Sequence, residues 1–237
     1  MKRYKREDPV SYALGITLTF EMLNYAPEHS RKVYIHSSME RGESFKKLEE
    51  LCKKLNVPME FSDKPFNILS QKENCYVIGE FEKFQRKNDK NADHVVLVNP
   101  SNAGNMGTIM RSATGFGVTD LAVIKQAVDP FDPKTVRASM GAIFRMNVAE
   151  YDSFEDYERE AGDRSLYPFM LKAKKKLPET EFKSPFSLIM GNEATGLPDS
   201  FLNVGTSVII PHSDRIDSLN ITIAASIALY EATKKNF

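Results

Sequence analysis

Downstream of residue 93, apolar runs and helix-like windows take turns along the chain. Residues 94–98, 121–124, 143–148, 165–171, 186–190 and 207–210 are short, apolar and separated by polar stretches. This alternation predicts a largely parallel sheet with helices on both faces. Two of the helices have clear ends. Asn105 is positioned to cap one whose Met106, Ile109, Met110 and Ala113 share a face, with Gly115 or Gly117 as its stop. Ser218 is positioned to cap another, running through Leu219, Ile223, Ala224, Ile227 and Ala228 towards Lys234 and Lys235. A shorter helix over 153–160 opens with a Ser-x-x-Asp capping pattern.

The first 82 residues carry a different rhythm. A helix opened by Asp8-Pro9, a strand over 32–36, a helix over 44–55 with Phe45, Leu48, Leu51 and Leu55 on one side, and strands over 58–61 and 75–81 predict a small α/β domain. Between Glu82 and Asp93 the chain is polar, charged and almost free of apolar side chains, the pattern of a linker. The expected organisation is a domain over 1–82, a linker over 83–92 and a larger domain over 93–237. A length of 237 residues suits one large or two small domains. Neither internal repeats nor low-complexity tracts occur.

Composition narrows the function classes. At 41% hydrophobic and 27% charged, the chain reads as a soluble globular protein. No apolar run approaches the roughly 20 residues that span a bilayer, so no membrane partner is expected. The basic start, Met1 to Arg6, leads into no apolar h-region, which points to the cytoplasm. Cys52 and Cys75 have no CxxC spacing, and His29, His36, His94 and His212 are dispersed, so no metal is expected. Lys plus Arg equals Asp plus Glu at 32 each, so any binding of nucleic acid has to come from local patches. Candidates are Lys2, Arg3, Lys5 and Arg6, the pairs Lys46-Lys47 and Lys53-Lys54, and Lys172, Lys174, Lys175 and Lys176.

Most chemically loaded residues fall in three segments, each directly after a predicted strand: 99–111, 191–197 and 210–220. In open α/β sheets that is where ligands bind. Arg111 lies off the apolar stripe of its helix, towards the crevice, where a guanidinium beside free N–H groups suits a phosphate or a developing oxyanion. The second segment surrounds Glu193 with Gly191 and Gly196, and the third offers Ser218 and Asn220. Taken singly, each has a plainer reading: a surface arginine, a solvated turn glutamate, a helix cap. Their coincidence after three strands is the signal. Neither GxGxxG nor GK[ST] occurs after the first strand, which argues against a dinucleotide dehydrogenase or a kinase.

The strings NPSNAGNMGTIMRSATGFG, IMGNEATGLP and VIIPHSDRIDSLNITIAASIALYE resemble, in order and spacing, the three motifs of the SpoU (TrmH-type) branch of the SPOUT RNA methyltransferases. RASMGAIF at 137–144 is similar to the segment these enzymes carry between the first two motifs. The likeness spans roughly 95–234, and the N-terminal part resembles more loosely the ribosomal-protein-like domain that often precedes them. The resemblance implies a trefoil-knotted α/β fold, an S-adenosylmethionine cofactor, 2′-O-ribose methylation of RNA, ribosomal RNA in preference to transfer RNA, and a homodimer. By position it implies catalytic roles for Asn105, Arg111, Glu193, Ser218 and Asn220, and cofactor contacts for Gly191, Ile210 and Leu219. The chain departs from the pattern at His212, where methionine is common, and in the length of the turn over 213–216. A non-catalytic RNA-binding or ribosome-assembly protein that retains the fold is the alternative.

Overall fold

The computed structural model describes residues 3–69 and 74–237. Lys2, one of the candidate basic residues, lies outside them. The first unit is a mixed sheet of order β1-β4-β2-β3. Its elements are β1 (Val10–Leu14), α1 (Ile16–Tyr25), β2 (Ser30–Ile35), α2 (Glu43–Leu55), β3 (Met59–Phe61), α3 (Lys64–Leu69) and β4 (Val77–Glu82). Asp8-Pro9 does not open a helix. The following VSYAL pairs antiparallel along its whole length with β4, from Val10↔Glu82 to Leu14↔Ile78, and this pairing overrides the local capping signal. The helix starts only beyond Gly15, whose φ of 108° suits a residue without Cβ. α2 forms as the apolar spacing predicts, burying Phe45, Leu48 and Cys52 and ending at left-handed Asn56.

The second unit is a five-stranded sheet of order β7-β6-β5-β10-β8, parallel throughout. Its elements are β5 (His94–Val98), α4 (Ala103–Gly115), β6 (Asp120–Ile124), α5 (Pro133–Ala138), β7 (Asn147–Tyr151), α6 (Phe154–Ala161), β8 (Ser165–Pro168), β9 (Lys175–Lys176), β10 (Phe186–Met190), β11 (Val208–Ile209) and α7 (Ile221–Thr233); β11, from the run over 207–210, stays outside the five-stranded sheet and pairs in parallel with β9. Alternate residues of each central strand feed two cores, as a sheet covered on both faces requires. Val95, Leu97, Leu121 and Leu188 pack with Met106 and Ile109 of α4 and Leu229 of α7. Val96, Ala122 and Ile189 pack with Phe154 and Tyr157 of α6 and with Phe201. Gly107 lets α4 and α5 touch: a Cβ there would lie 2.5 Å from the Thr135 carbonyl oxygen.

Several boundaries differ from the pattern reading. The run over 143–148 splits into a 3-10 turn at Ala142–Arg145 and β7, because left-handed Gly141 starts a turn before the strand can begin. The run over 165–171 leaves the sheet at its end: β8 closes at Pro168, Phe169 N–H makes a last bond to the Ile189 carbonyl of β10, and Met170 N–H turns to the Val208 carbonyl instead. α4 is capped by Asn102, whose Oδ1 accepts from Asn105 N–H, and α7 is capped by Asn220 rather than Ser218.

The stretch that joins the units is polar but stapled down. Phe84 is buried against Phe131, Arg86 donates to the Phe144 and Met146 carbonyls, and Asn88 donates to those of Leu121 and Asn147. Phe81 of β4 meets Phe144 edge-on with ring centres 5.0 Å apart, so one apolar core runs through both units. No helix among the described residues is long and apolar enough to cross a membrane.

Candidate active site

β5 and β10 lie side by side, yet the chain continues from β5 to β6 on one flank while β8 lies on the other. The strand order therefore reverses between them, and the crevice beyond their carboxyl ends is where such sheets take ligands. The first two chemically loaded segments meet there.

After β5, Asn99 adopts a left-handed conformation at φ 52°, and Asn102 starts α4 two residues after Pro100. After β10, the chain folds back on itself: Asn192 and Gly196 exchange backbone hydrogen bonds of 2.9 and 3.2 Å. Gly191 must be glycine, because a Cβ would lie 2.2 Å from the Gly196 carbonyl carbon and 2.4 Å from the Leu197 nitrogen. Asn192 braces the loop in both directions. Its Oδ1 accepts from Ala194 N–H, and its Nδ2 donates to the Asn99 carbonyl at 2.8 Å.

Glu193 completes the link between the two loops. Its carboxylate accepts from Ser101 N–H at 2.9 Å, Ser101 Oγ at 2.6 Å, Asn102 N–H at 3.1 Å and Asn105 Nδ2 at 3.4 Å. Partial burial opposes its charge, but the donated hydrogen bonds from Ser101 and Asn102 outweigh it and hold the carboxyl below the usual glutamate range. The N-terminal end of α4 adds a favourable dipole.

A cleft of about 320 Å³ opens between this loop, the segment after β8 and the segment from β11 into α7. Met190, Val208, Ile210 and Leu219 give it apolar walls, while Lys172, Glu193, Asp199 and His212 bring charge and polarity to its lining. His212 donates from Nδ1 to the Ile210 carbonyl at 2.9 Å.

Of the sequence candidates, Gly191, Glu193, Ile210, Ser218 and Leu219 all line this cleft. Asn105 stands one step behind, bonded to Glu193. Asn220 spends its Oδ1 on capping α7, accepting from Thr222 N–H at 2.8 Å and Thr222 Oγ1 at 2.6 Å. Arg111 does not line the cleft; it is solvent-exposed on α4, beside Ser112, whose Oγ lies 2.9 Å from Ser226 Oγ of α7. Among the described residues no hydrogen bond or ion pair engages its guanidinium. Pattern reading missed Ser101, Asn192, Asp199 and the segment over 169–171. Asn192 was legible beside Glu193; the others depend on which strands become neighbours. Among the described residues no group of three or more His, Cys, Asp or Glu gathers as metal donors.

The model of the SpoU rRNA Methylase family matches residues 93–230. A 23S rRNA (uridine(2479)-2′-O)-methyltransferase of Streptomyces viridochromogenes is 31% identical over 153 residues, covering 60% of this chain and 52% of its own. An uncharacterized tRNA/rRNA methyltransferase of Synechocystis is 31% identical over 146 residues, with 60% and 53% covered. The chain thus spans about half the length of these curated relatives, and 30% of a ribosomal RNA small subunit methyltransferase of Syntrophobacter fumaroxidans. Among solved structures, the AdoMet-bound rRNA methyltransferase of Sinorhizobium meliloti superimposes with a TM-score of 0.80 at 25% identity over 97% of this chain and 88% of its own. A family match that begins at the foot of β5, runs into α7 and takes in every residue of the cleft shows that this chain belongs to the SpoU rRNA methylase family.

Proposed function

We propose that this protein transfers a methyl group from S-adenosylmethionine to a ribose 2′-hydroxyl of structured RNA, ribosomal RNA in preference to transfer RNA. The observation that carries this reading is the convergence of three distant segments at one crevice, with Glu193 tying the first to the second and the cleft joining the second to the third. The residues fit the cofactor. A cleft of about 320 Å³ is of ligand size, and its apolar walls at Met190, Val208, Ile210 and Leu219 suit an adenosine.

The cofactor, when bound, supplies a methyl group on a positively charged sulfur. The chain's own part is alignment and charge. Gly191, Ile210 and Leu219 hold the adenosine end, while Ser218 at the cleft and the Asn220 side-chain amide orient the donor and the hydroxyl. Alignment of this kind lowers a barrier by up to about 7–11 kcal/mol. The Arg111 guanidinium, a fixed planar cation, stabilises the oxygen as its negative charge develops. Proton removal by Arg111 itself would need help from an RNA phosphate. Glu193 and Asn105 act by fixing the loop that closes on the cofactor.

The same reading includes a homodimer. Ile223, Ile227 and Tyr230 stand 53%, 37% and 57% exposed on successive turns of α7, an apolar stripe suited to a second copy. Arg111 lies on the helix packed against α7, which supports a site completed by that assembly. The reading divides the chain into a substrate-binding unit over 1–82, a connecting stretch over 83–92 and a catalytic unit over 93–237 threaded as a trefoil knot. Exposed Lys46, Lys53 and Lys54 on α2 offer the first unit phosphate contacts. The compartment that goes with this reading is the cytoplasm.

The test is a map of 2′-O-methyl positions on total RNA from cells with and without the protein. At least one ribose, expected in ribosomal RNA, should lose its methyl group. A chain that binds the cofactor while every RNA position stays unchanged would instead be an RNA-binding protein that retains the fold.

A further inference from the structure

We propose that Lys172 and Asp199 form the receptor for the amino-acid end of the cofactor, an assignment that rests on reading the cleft as an S-adenosylmethionine site. Four charged or titratable side chains line the cleft, and two are already committed: Glu193 to Ser101 and Asn102, His212 to the Ile210 carbonyl. Lys172 and Asp199 remain. They come from different segments and pair with each other, Nζ lying 2.8 Å from Oδ1 and 2.7 Å from Oδ2, with each side chain 67% exposed.

Their backbones are fixed although their side chains are not buried. Phe169 N–H donates to the Ile189 carbonyl and Met170 N–H to that of Val208, each at 2.9 Å, which anchors the segment that carries Lys172. Asp199 opens a 3-10 turn anchored by buried Phe201, two residues after buried Leu197. An α-amino acid carries an ammonium and a carboxylate on one carbon. A lysine and an aspartate held side by side present the complementary set, Asp199 for the ammonium and Lys172 for the carboxylate. An ion pair this exposed contributes little to stability, so exchanging it for the charges of a ligand sacrifices little. The apolar walls at Met190, Val208, Ile210 and Leu219 leave this pair as the charged, uncommitted part of the lining.

Calorimetric titration of the full chain with S-adenosylhomocysteine and with 5′-methylthioadenosine, which lacks the amino-acid end, tests the assignment. Lys172→Ala and Asp199→Ala are each expected to weaken S-adenosylhomocysteine about tenfold and to leave 5′-methylthioadenosine within about twofold. A double variant with Lys172→Asp and Asp199→Lys keeps an ion pair of reversed polarity and should be weakened for S-adenosylhomocysteine too. Equal weakening of both ligands, no weakening of either, or recovery of S-adenosylhomocysteine affinity in the double variant would overturn the assignment while leaving the cofactor reading intact. Failure of the unmodified chain to bind either ligand would overturn both.

Discussion

Gly191→Ala is the substitution for which the geometry yields the firmest magnitude. The added carbon would lie 2.2 Å from the Gly196 carbonyl carbon, 2.4 Å from the Leu197 nitrogen and 2.6 Å from the Gly196 oxygen. Ordinary contact begins at 3.4 Å, so the loop must retreat by about 1.2 Å (3.4 − 2.2), and every atom in the way is backbone. The hydrogen bonds between Asn192 and Gly196, 2.9 and 3.2 Å long, resist that retreat. Overpacking costs about 1–3 kcal/mol and two strained hydrogen bonds about 0.5–1 kcal/mol each, giving roughly 2–5 kcal/mol in total. For a chain of this size that corresponds to a fall of roughly 4–20 °C in melting temperature. Because the same loop walls the cleft, S-adenosylmethionine affinity should fall at least about tenfold. Thermal unfolding and calorimetric titration read the two effects. A variant that melts within about 2 °C of the parent and binds the cofactor equally well would refute the reasoning.

Glu193→Gln removes a carboxylate whose donated hydrogen bonds hold its folded-state pKa below the unfolded value. Stability from such a group is present above the unfolded pKa and lost as pH falls through the folded one. The parent should therefore exceed the variant by about 1–2 kcal/mol at neutral pH, and urea titrations should show the gap closing below about pH 4.5. Gly107→Ala drives a methyl group into the Thr135 carbonyl at 2.5 Å and should lower stability by about 1–3 kcal/mol, measured by the same titration. Ile223→Asp with Ile227→Asp places charge on the exposed stripe of α7, and the proposed homodimer predicts that sedimentation shows a dimer for the parent and a monomer for this variant.

Much of the larger unit was legible because its signals are local. The runs at 94–98 and 186–190 are fully buried strands, and such strands read as unbroken apolar stretches. Cap residues were placed in the right neighbourhood but misassigned, because Asn102 and Asn105, or Ser218 and Asn220, are all competent caps; only the backbone path decides among them. The first strand was hidden by Asp8-Pro9, a helix-start signature outweighed by pairing with a segment about 70 residues away. Glu193 was legible as a residue of the crevice, but its partnership with Ser101 was not. It depends on β10 inserting beside β5, a long-range choice with no local trace in the sequence.

Methyl transfer by Arg111→Ala tests the account most directly. The acceptor is total RNA from cells lacking the protein, the donor is S-adenosylmethionine with a labelled methyl group, and cofactor affinity is measured alongside. The rate should fall by about 10²–10³ while the cofactor binds within about twofold of the parent, as befits a group that acts on the developing oxyanion. A methylation rate near that of the parent would contradict it.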